Sequence, residues 1–299
     1  MAASACLPAN CGSSACTRTM SAMLDLAPAK SAYPAVRRIT PQPMARRLHT
    51  RLPAAAEAVS GLMRPDAQPL GAGWRQVTVQ LADLEHVLQG HDLTPLTPEL
   101  GACVRRRQLT FLAGRLCAEA AMASAGGAAA WVARGLAGQP VWPVGWCGSI
   151  SHNEDRALAI VAPQDQQWSV GVDVETIVMG DARTAVESVC LTARELASLA
   201  LSTAPGIAAT LRFSAKEAYY KALYPHHGRH VDFLEVEVAH SDGQQGVFQI
   251  GPAAAGETCR PTLPLARGHY AVRDTQLITW VCLSLPVFLK QGYDDHPQH

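Results

Sequence analysis

The six residues Val170 to Glu175, reading VGVDVE, constrain this chain more than any other stretch of it. They have the apolar character of a short buried strand, in which successive side chains point to opposite faces. Asp173 and Glu175 therefore share one face, while Val172 and Val174 share the other. Two like charges on a buried or crowded surface are costly unless they are paired or coordinate a metal. The expected neighbour of this strand is a cation.

Composition sets the frame for that strand. With 299 residues, 48% hydrophobic and 17% charged, the chain can bury a full core as one large or two modest domains of a soluble globular protein. Its 25 basic and 25 acidic residues cancel, so no global charge argues for a nucleic-acid or membrane-surface partner. No apolar run reaches the roughly 18–20 residues of a membrane helix, which speaks against stable membrane insertion. The nine cysteines are odd in number and lack CxxC spacing. Cys103, Cys117, Cys147, Cys190 and Cys282 read as small core residues of a reducing cytoplasm.

Residues 1–70 differ from the rest, being rich in Ala, Ser, Pro and Arg, with Asp25 the sole acid before Glu57. They read as a disordered or loosely ordered extension or a mis-assigned start, an organellar targeting segment, or part of the fold. An N-terminal subdomain is expected over 71–167, a C-terminal one over 168–290, and a tail over 291–299. GWRQVTVQL, from Gly73, predicts a strand. Leu109, Leu112, Leu116, Ala120 and Ala123 predict an amphipathic helix ending at Gly126 and Gly127. GQPVWPVGWCGSISHNED has the punctuation of a loop and leads into an apolar strand at Ala157 to Ala162. In the second half, Thr192 and Glu195 predict a capping box, and IAATLRFSAKEAYYKAL a second long helix. DFLEVEVAH, QGVFQI and LITWVCLSL predict strands, with a turn at Asp242 and Gly243. The resulting class is α+β: two similar α/β subdomains with a cleft between them.

Three further groups carry chemistry. In FSAKEAYYKAL, Glu217 and Lys221 lie one turn apart and Lys216 beside them, on a helix with little clearly polar surface. In GSISH, Ser149, Ser151 and His152 precede an apolar strand, and small residues there let a phosphate approach the backbone. Arg105, Arg106 and Arg107, with Arg115 farther along the helix, offer guanidinium forks for phosphate. Each has an ordinary reading as a solvated ion pair, a structural histidine or surface charge. Together they describe hard oxygen ligands for Mg²⁺ and cations for a multiply phosphorylated ligand.

The order and spacing of GSISH, VGVDVE and FSAKEAYYK resemble the three motifs of the 4′-phosphopantetheinyl transferase superfamily. The upstream FLAGRLCAEA and GQPVWPVGWCGSISH are similar to the branch represented by enterobactin synthase component D, related to Sfp-type enzymes. The resemblance runs from Gly101 to Glu237 and more faintly to Leu285. It implies two pseudo-twofold-related subdomains with the active site between them. It also implies transfer of phosphopantetheine from coenzyme A to a serine of an apo peptidyl, aryl or acyl carrier protein, leaving adenosine 3′,5′-bisphosphate. Asp173, Glu175 and Glu217 would hold Mg²⁺. Lys221 and Lys216 would neutralise phosphate charge, and Glu217 would take the serine proton. His152, with Arg107 or Arg115, would contact the 3′-phosphate, and Ser151 is a further contact. A monomer is expected. The alternative is a non-catalytic module that binds coenzyme A or a carrier. Val172 and Val174 stand where the family's motif commonly has isoleucine. His226, His227 and His230 are expected in a surface loop.

Overall fold

The structure is a computed structural model that describes residues 43–66, 74–128, 130–164, 168–240, 245–253 and 263–284. It is a mixed α+β fold. Its first half contains helices α1 (Met44–Arg51) and α2 (Pro53–Leu62), strands β1 (Arg64–Asp66) and β2 (Arg75–Gln80), α3 (Leu81–Leu88) and the long α4 (Arg105–Ser124). The short strands β3 (Ala133–Arg134) and β4 (Pro140–Val141) pair with each other, and β5 (Trp146–His152) and β6 (Arg156–Pro163) follow. β1, β2, β6 and β5 form one antiparallel sheet in that order. The second half contains β7 (Trp168–Thr176), α5 (Gly180–Cys190), α6 (Ala193–Leu199), α7 (Pro205–His227), β8 (Val236–His240), β9 (Gln245–Pro252), β10 (Ala266–Arg273) and β11 (Gln276–Ser284). Its antiparallel sheet has the order β7, β11, β10, β9, β8.

Each sheet carries a long helix on one face. Val77, Val79, Ala157, Ala159 and Val161 pack beneath α4, which contributes Leu109, Leu112 and Leu116. The opposite face of β6 places Leu158 and Ile160 against Val170, Val172 and Val174 of β7 and Ile278 and Trp280 of β11. The two sheets meet through this cluster. That explains why β6 reads as a continuous apolar run: both of its faces are buried.

Helix α7 lies almost against the β7 backbone. A Cβ on Gly171 would stand 1.8 Å from the carbonyl oxygen of Ala218, so only glycine permits the approach. At its far end α7 stops at Gly228, whose φ of 65° adopts the left-handed conformation that helix C-termini favour.

Residues 44–62 differ from the loosely ordered extension expected over 1–70. Met44, Leu48, Ala55, Ala56 and Val59 are buried in the first core. Their three- and four-residue spacing is helical, and it is concealed by the Ala- and Arg-rich composition around it. Glu119 of α4 accepts hydrogen bonds from the backbone N–H groups of Met44 and Ala45, tying down the start of α1. These helices also change α4, which is not amphipathic: Gln108 through Glu119 are all buried, because the face expected to meet water meets α1.

Further expectations are revised or fall elsewhere. GSISH lies on strand β5, not in a loop, because its backbone pairs with β6 from Gly148 to His152. β10 and α5 are additional elements. Thr192 and Glu195 form the expected capping box. Cys103 is exposed, whereas Cys117 and Cys190 are buried. The Asp242–Gly243 turn lies outside the described residues.

Candidate active site

The carboxylate of Asp173 is where the two sheets and α7 converge. β7 turns it away from the Val172 and Val174 face toward α7, as period-two alternation requires. Its Oδ1 accepts from Ser151 Oγ of β5 at 2.8 Å and from Lys221 Nζ of α7 at 2.6 Å. Its Oδ2 accepts from Ser214 Oγ at 2.8 Å. Lys221 also donates to Ser151 Oγ at 3.0 Å. Where Mg²⁺ is expected opposite VGVDVE, the group that meets Asp173 Oδ1 in this structure is an ammonium, that of Lys221 on the FSAKEAYYK helix. Ser149, one strand repeat before Ser151, accepts from the backbone N–H of Val172 at 3.0 Å and fastens β5 to β7.

Asp173, Glu175, Glu217 and Lys221 form one electrostatic cluster. Burial, followed by Asp173, pushes the Glu175 carboxyl well above the usual range, with Lys221 opposing the shift. Burial raises Glu217 to about 7, with Lys221 working against it and Asp173 adding to it. Burial alone would lower Lys221, but Asp173 and Glu217 outweigh it and hold its pKa above the ordinary lysine value. One ammonium faces three carboxylates. Glu217 Oε1 is buried without a hydrogen-bond partner, an arrangement that costs free energy unless a further donor or cation is supplied.

The donor set suits a divalent cation in kind: hard carboxylate oxygens from a strand and a helix, one of them orphaned. Among the described residues, however, no group of three such side chains already stands at metal-holding spacing. Lys221 occupies the Oδ1 side of Asp173 instead. The ligand chemistry fits, and a coordination geometry is not preformed.

On the first-half side, Arg107 Nη1 of α4 stands 3.4 Å from His152 Nε2 at the end of β5. The surrounding protein, then Arg107 and Lys221, lower the His152 pKa, although the residue itself is exposed. The imidazole is neutral near pH 7, leaving Nε2 able to accept from Arg107. Desolvation, and next the Arg134 guanidinium, also lower the Arg107 pKa. Arg107 and Lys221, with Arg106 more weakly, act on His152, and Arg134 acts on Arg107; this is a local excess of positive charge of the kind that suits an anion.

Two expected phosphate ligands are committed elsewhere. Arg115 is buried, stacks on Phe111 at 4.5 Å, and donates from Nε to the Val132 carbonyl at 2.8 Å and from Nη2 to the Ala133 carbonyl at 3.3 Å. It holds the segment entering β3. Lys216 Nζ donates to Glu195 Oε2 at 2.6 Å, to the Cys190 carbonyl at 2.8 Å and to the Phe233 carbonyl at 2.9 Å. All three of its donors are taken, far from Asp173 in bonding terms. Adjacent helix positions are about 100° apart, so Lys216 and Glu217 serve different sides of α7. His226 and His227 close the last turn of α7 and His230 follows it, packed on Tyr220.

Sequence reasoning passed over Ser214, Thr279 and Arg134. Ser214 was legible: Ser214, Glu217 and Lys221 stand at i, i+3 and i+7, a polar stripe on an otherwise apolar helix. Thr279, which contacts Ser214 Oγ at 2.8 Å from β11, and Arg134 had no local signal.

Comparison with known proteins places these residues in a family context. The family model described as 4′-phosphopantetheinyl transferase N-terminal domain matches residues 98–162, and that of the 4′-phosphopantetheinyl transferase superfamily matches residues 169–267. Enterobactin synthase component D of Salmonella typhi is 38% identical over 135 residues, covering 44% of this chain and 56% of the relative. That match spans little more than half of the relative's length. The 4′-phosphopantetheinyl transferase Npt of Nocardia iowensis is 30% identical over 187 residues, covering 59% of this chain and 82% of the relative. PptT of Mycobacterium tuberculosis is 30% identical over 203 residues, covering 64% and 87% respectively.

Proposed function

This chain belongs to the 4′-phosphopantetheinyl transferase superfamily, and from that membership we propose that it moves the phosphopantetheine arm of coenzyme A onto a serine hydroxyl of an apo carrier protein. The observation that carries the proposal is the convergence of all three family motifs on Asp173: Ser151 from GSISH, the aspartate itself from VGVDVE, and Lys221 from FSAKEAYYK. Enterobactin in the names of several relatives favours peptidyl or aryl carriers of siderophore assembly.

Asp173, Glu175 and Glu217 would hold Mg²⁺, which when bound supplies positive charge at the coenzyme A diphosphate. The protein's own residues do the rest. Arg107 and neutral His152 bind and orient the 3′-phosphate end, with the Arg134 guanidinium acting on Arg107. Lys221 neutralises charge on the diphosphate oxygens as the serine oxygen attacks the β-phosphorus and adenosine 3′,5′-bisphosphate departs. Glu217 is also the carboxylate placed to accept the serine proton, a task it serves only while its hold on the cation is loose. Lys216 and Arg115 act through the fold.

The test is the intact mass of apo peptidyl, aryl and acyl carrier proteins after incubation with the chain, coenzyme A and Mg²⁺. A gain of one phosphopantetheine, abolished by chelation and by Asp173→Ala, is expected. No gain on any carrier, with coenzyme A still bound, would replace the transferase by a binding module.

A further inference from the structure

We infer that Lys221 is an exchangeable counter-ion: its ammonium must leave Asp173 Oδ1 for a divalent cation to engage there, and the coenzyme A diphosphate draws it away, so that the two ligands bind cooperatively through one lysine. The inference rests on the cation and coenzyme A assignments made above.

The bonding of Asp173 carries it. Oδ1 already accepts from two donors, Ser151 Oγ and Lys221 Nζ, which matches its two lone pairs. A cation approaching that oxygen has to displace one of them. Lys221 is the one able to move: its side chain is 27% exposed, whereas Ser151 is buried between the strands. Lys216, by contrast, is 1% exposed and bound to three acceptors, a fixture of the same helix.

The carboxylate itself is held from behind. Ser214 binds Oδ2, and Thr279 Oγ1 donates to the Ser214 backbone carbonyl at 3.0 Å. Exchange at Oδ1 therefore leaves Asp173 in place. Around Lys221 stand Asp173 and Glu175 of β7, Glu217 of its own helix and His152 of β5. A single positive charge leaves this set under-neutralised, and a divalent cation would supply the difference. A displaced ammonium is a compact point charge suited to phosphate oxygens. Coupling of this kind is reciprocal: whatever coenzyme A adds to cation affinity, the cation adds to coenzyme A affinity.

The experiment measures binding of Mn²⁺ to the full chain by electron paramagnetic resonance of the free ion, with and without coenzyme A, in wild type and Lys221→Met. Without coenzyme A, Lys221→Met is expected to bind Mn²⁺ about tenfold more tightly, the equivalent of one lost competitor contact. The factor by which coenzyme A tightens Mn²⁺ binding should fall about fivefold or more. Unchanged or weaker Mn²⁺ binding in the variant overturns the inference. So does equal tightening with and without coenzyme A, because a mere background charge repels the ion in both states. Wild type that binds no Mn²⁺ under either condition would instead withdraw the cation assignment itself, and the inference with it. Should Lys221→Met lose its far-ultraviolet circular dichroism, Lys221→Leu, which likewise removes both the donor and the charge, carries the same comparison.

Discussion

Arg107 and Arg115 share a helix and a residue type and have different employment, which a single pair of substitutions can separate. Arg107 meets His152 at the edge of the anion site, whereas Arg115 spends its guanidinium on the Val132 and Ala133 carbonyls. Steady-state kinetics of Arg107→Ala should show KM for coenzyme A raised about tenfold to a hundredfold, the worth of one charge-assisted hydrogen bond, with an unchanged melting temperature. Arg115→Ala should show the reverse: a lower melting temperature and nearly unchanged KM in the protein that remains folded. Equal KM effects would mean that both contact the ligand. At this scale the sequence was informative about residue type and silent about direction. Asp173 and Lys221 were placed by periodicity, but Lys216 differs from Lys221 only in which side of α7 it leaves, and its partner Glu195 lies 21 positions away.

The element that organises the site is α7, and two contacts hold it. One is the buried Lys216–Glu195 pair, whose side chains are 1% and 2% exposed. Glu195 also accepts from the backbone N–H groups of Thr192 and Val238, at 2.9 and 2.8 Å, so α6, α7 and β8 share one carboxylate. Lys216→Met leaves that charge without its counter-ion and is expected to cost about 3–5 kcal/mol in urea denaturation. A loss below about 1 kcal/mol would show that the pair is dispensable. The other contact is the approach at Gly171. An added methyl meets the Ala218 carbonyl at 1.8 Å, and because both sides are backbone, neither yields easily. Gly171→Ala should lower the melting temperature and separate Lys221 from Asp173, with a cost of about 1–3 kcal/mol or more. A variant of wild-type stability and turnover would mean that α7 shifts without consequence. The capping box behind Glu195 was legible as a short local pattern. The close approach was not, because a glycine in a strand does not announce which helix it admits.

Across the whole molecule, α1 and α2 complete the first half, and Glu119 is their attachment point. Burial raises this carboxyl to about 7, with the N–H groups of Ala45 and Met44 opposing the shift. The folded chain thus holds a proton that the unfolded chain, with an ordinary glutamate value of 4.5, has already released. The stability contribution of Glu119 is fully present below its unfolded pKa and is lost as pH rises through about 7. Glu119→Gln removes the titration and gives up one of the two acceptors for the Met44 and Ala45 N–H groups, a loss that does not vary with pH. Relative to that variant, the wild-type melting temperature should decline between about pH 4.5 and 7. Parallel profiles would show that Glu119 does not change protonation on unfolding. The comparison is paired because Glu175 and Glu217 shift in the same direction and contribute equally to both profiles.

The sequence by itself determined what depends on local order: the alternation that aims Asp173 and Glu175 to one side of β7, the i, i+4 step from Glu217 to Lys221, the cap at Thr192, and the spacing of three motifs that marks the family. Tertiary structure alone decided what depends on neighbours distant along the chain. It turned Arg115 and Lys216 into scaffold and buried the outer face of α4 beneath α1. It also put Ser151 of the first sheet and Lys221 of helix α7 on the same oxygen of Asp173. Alternation and helical pitch are properties of the backbone within a few residues, whereas desolvation and charge pairing are set by whatever the fold brings alongside.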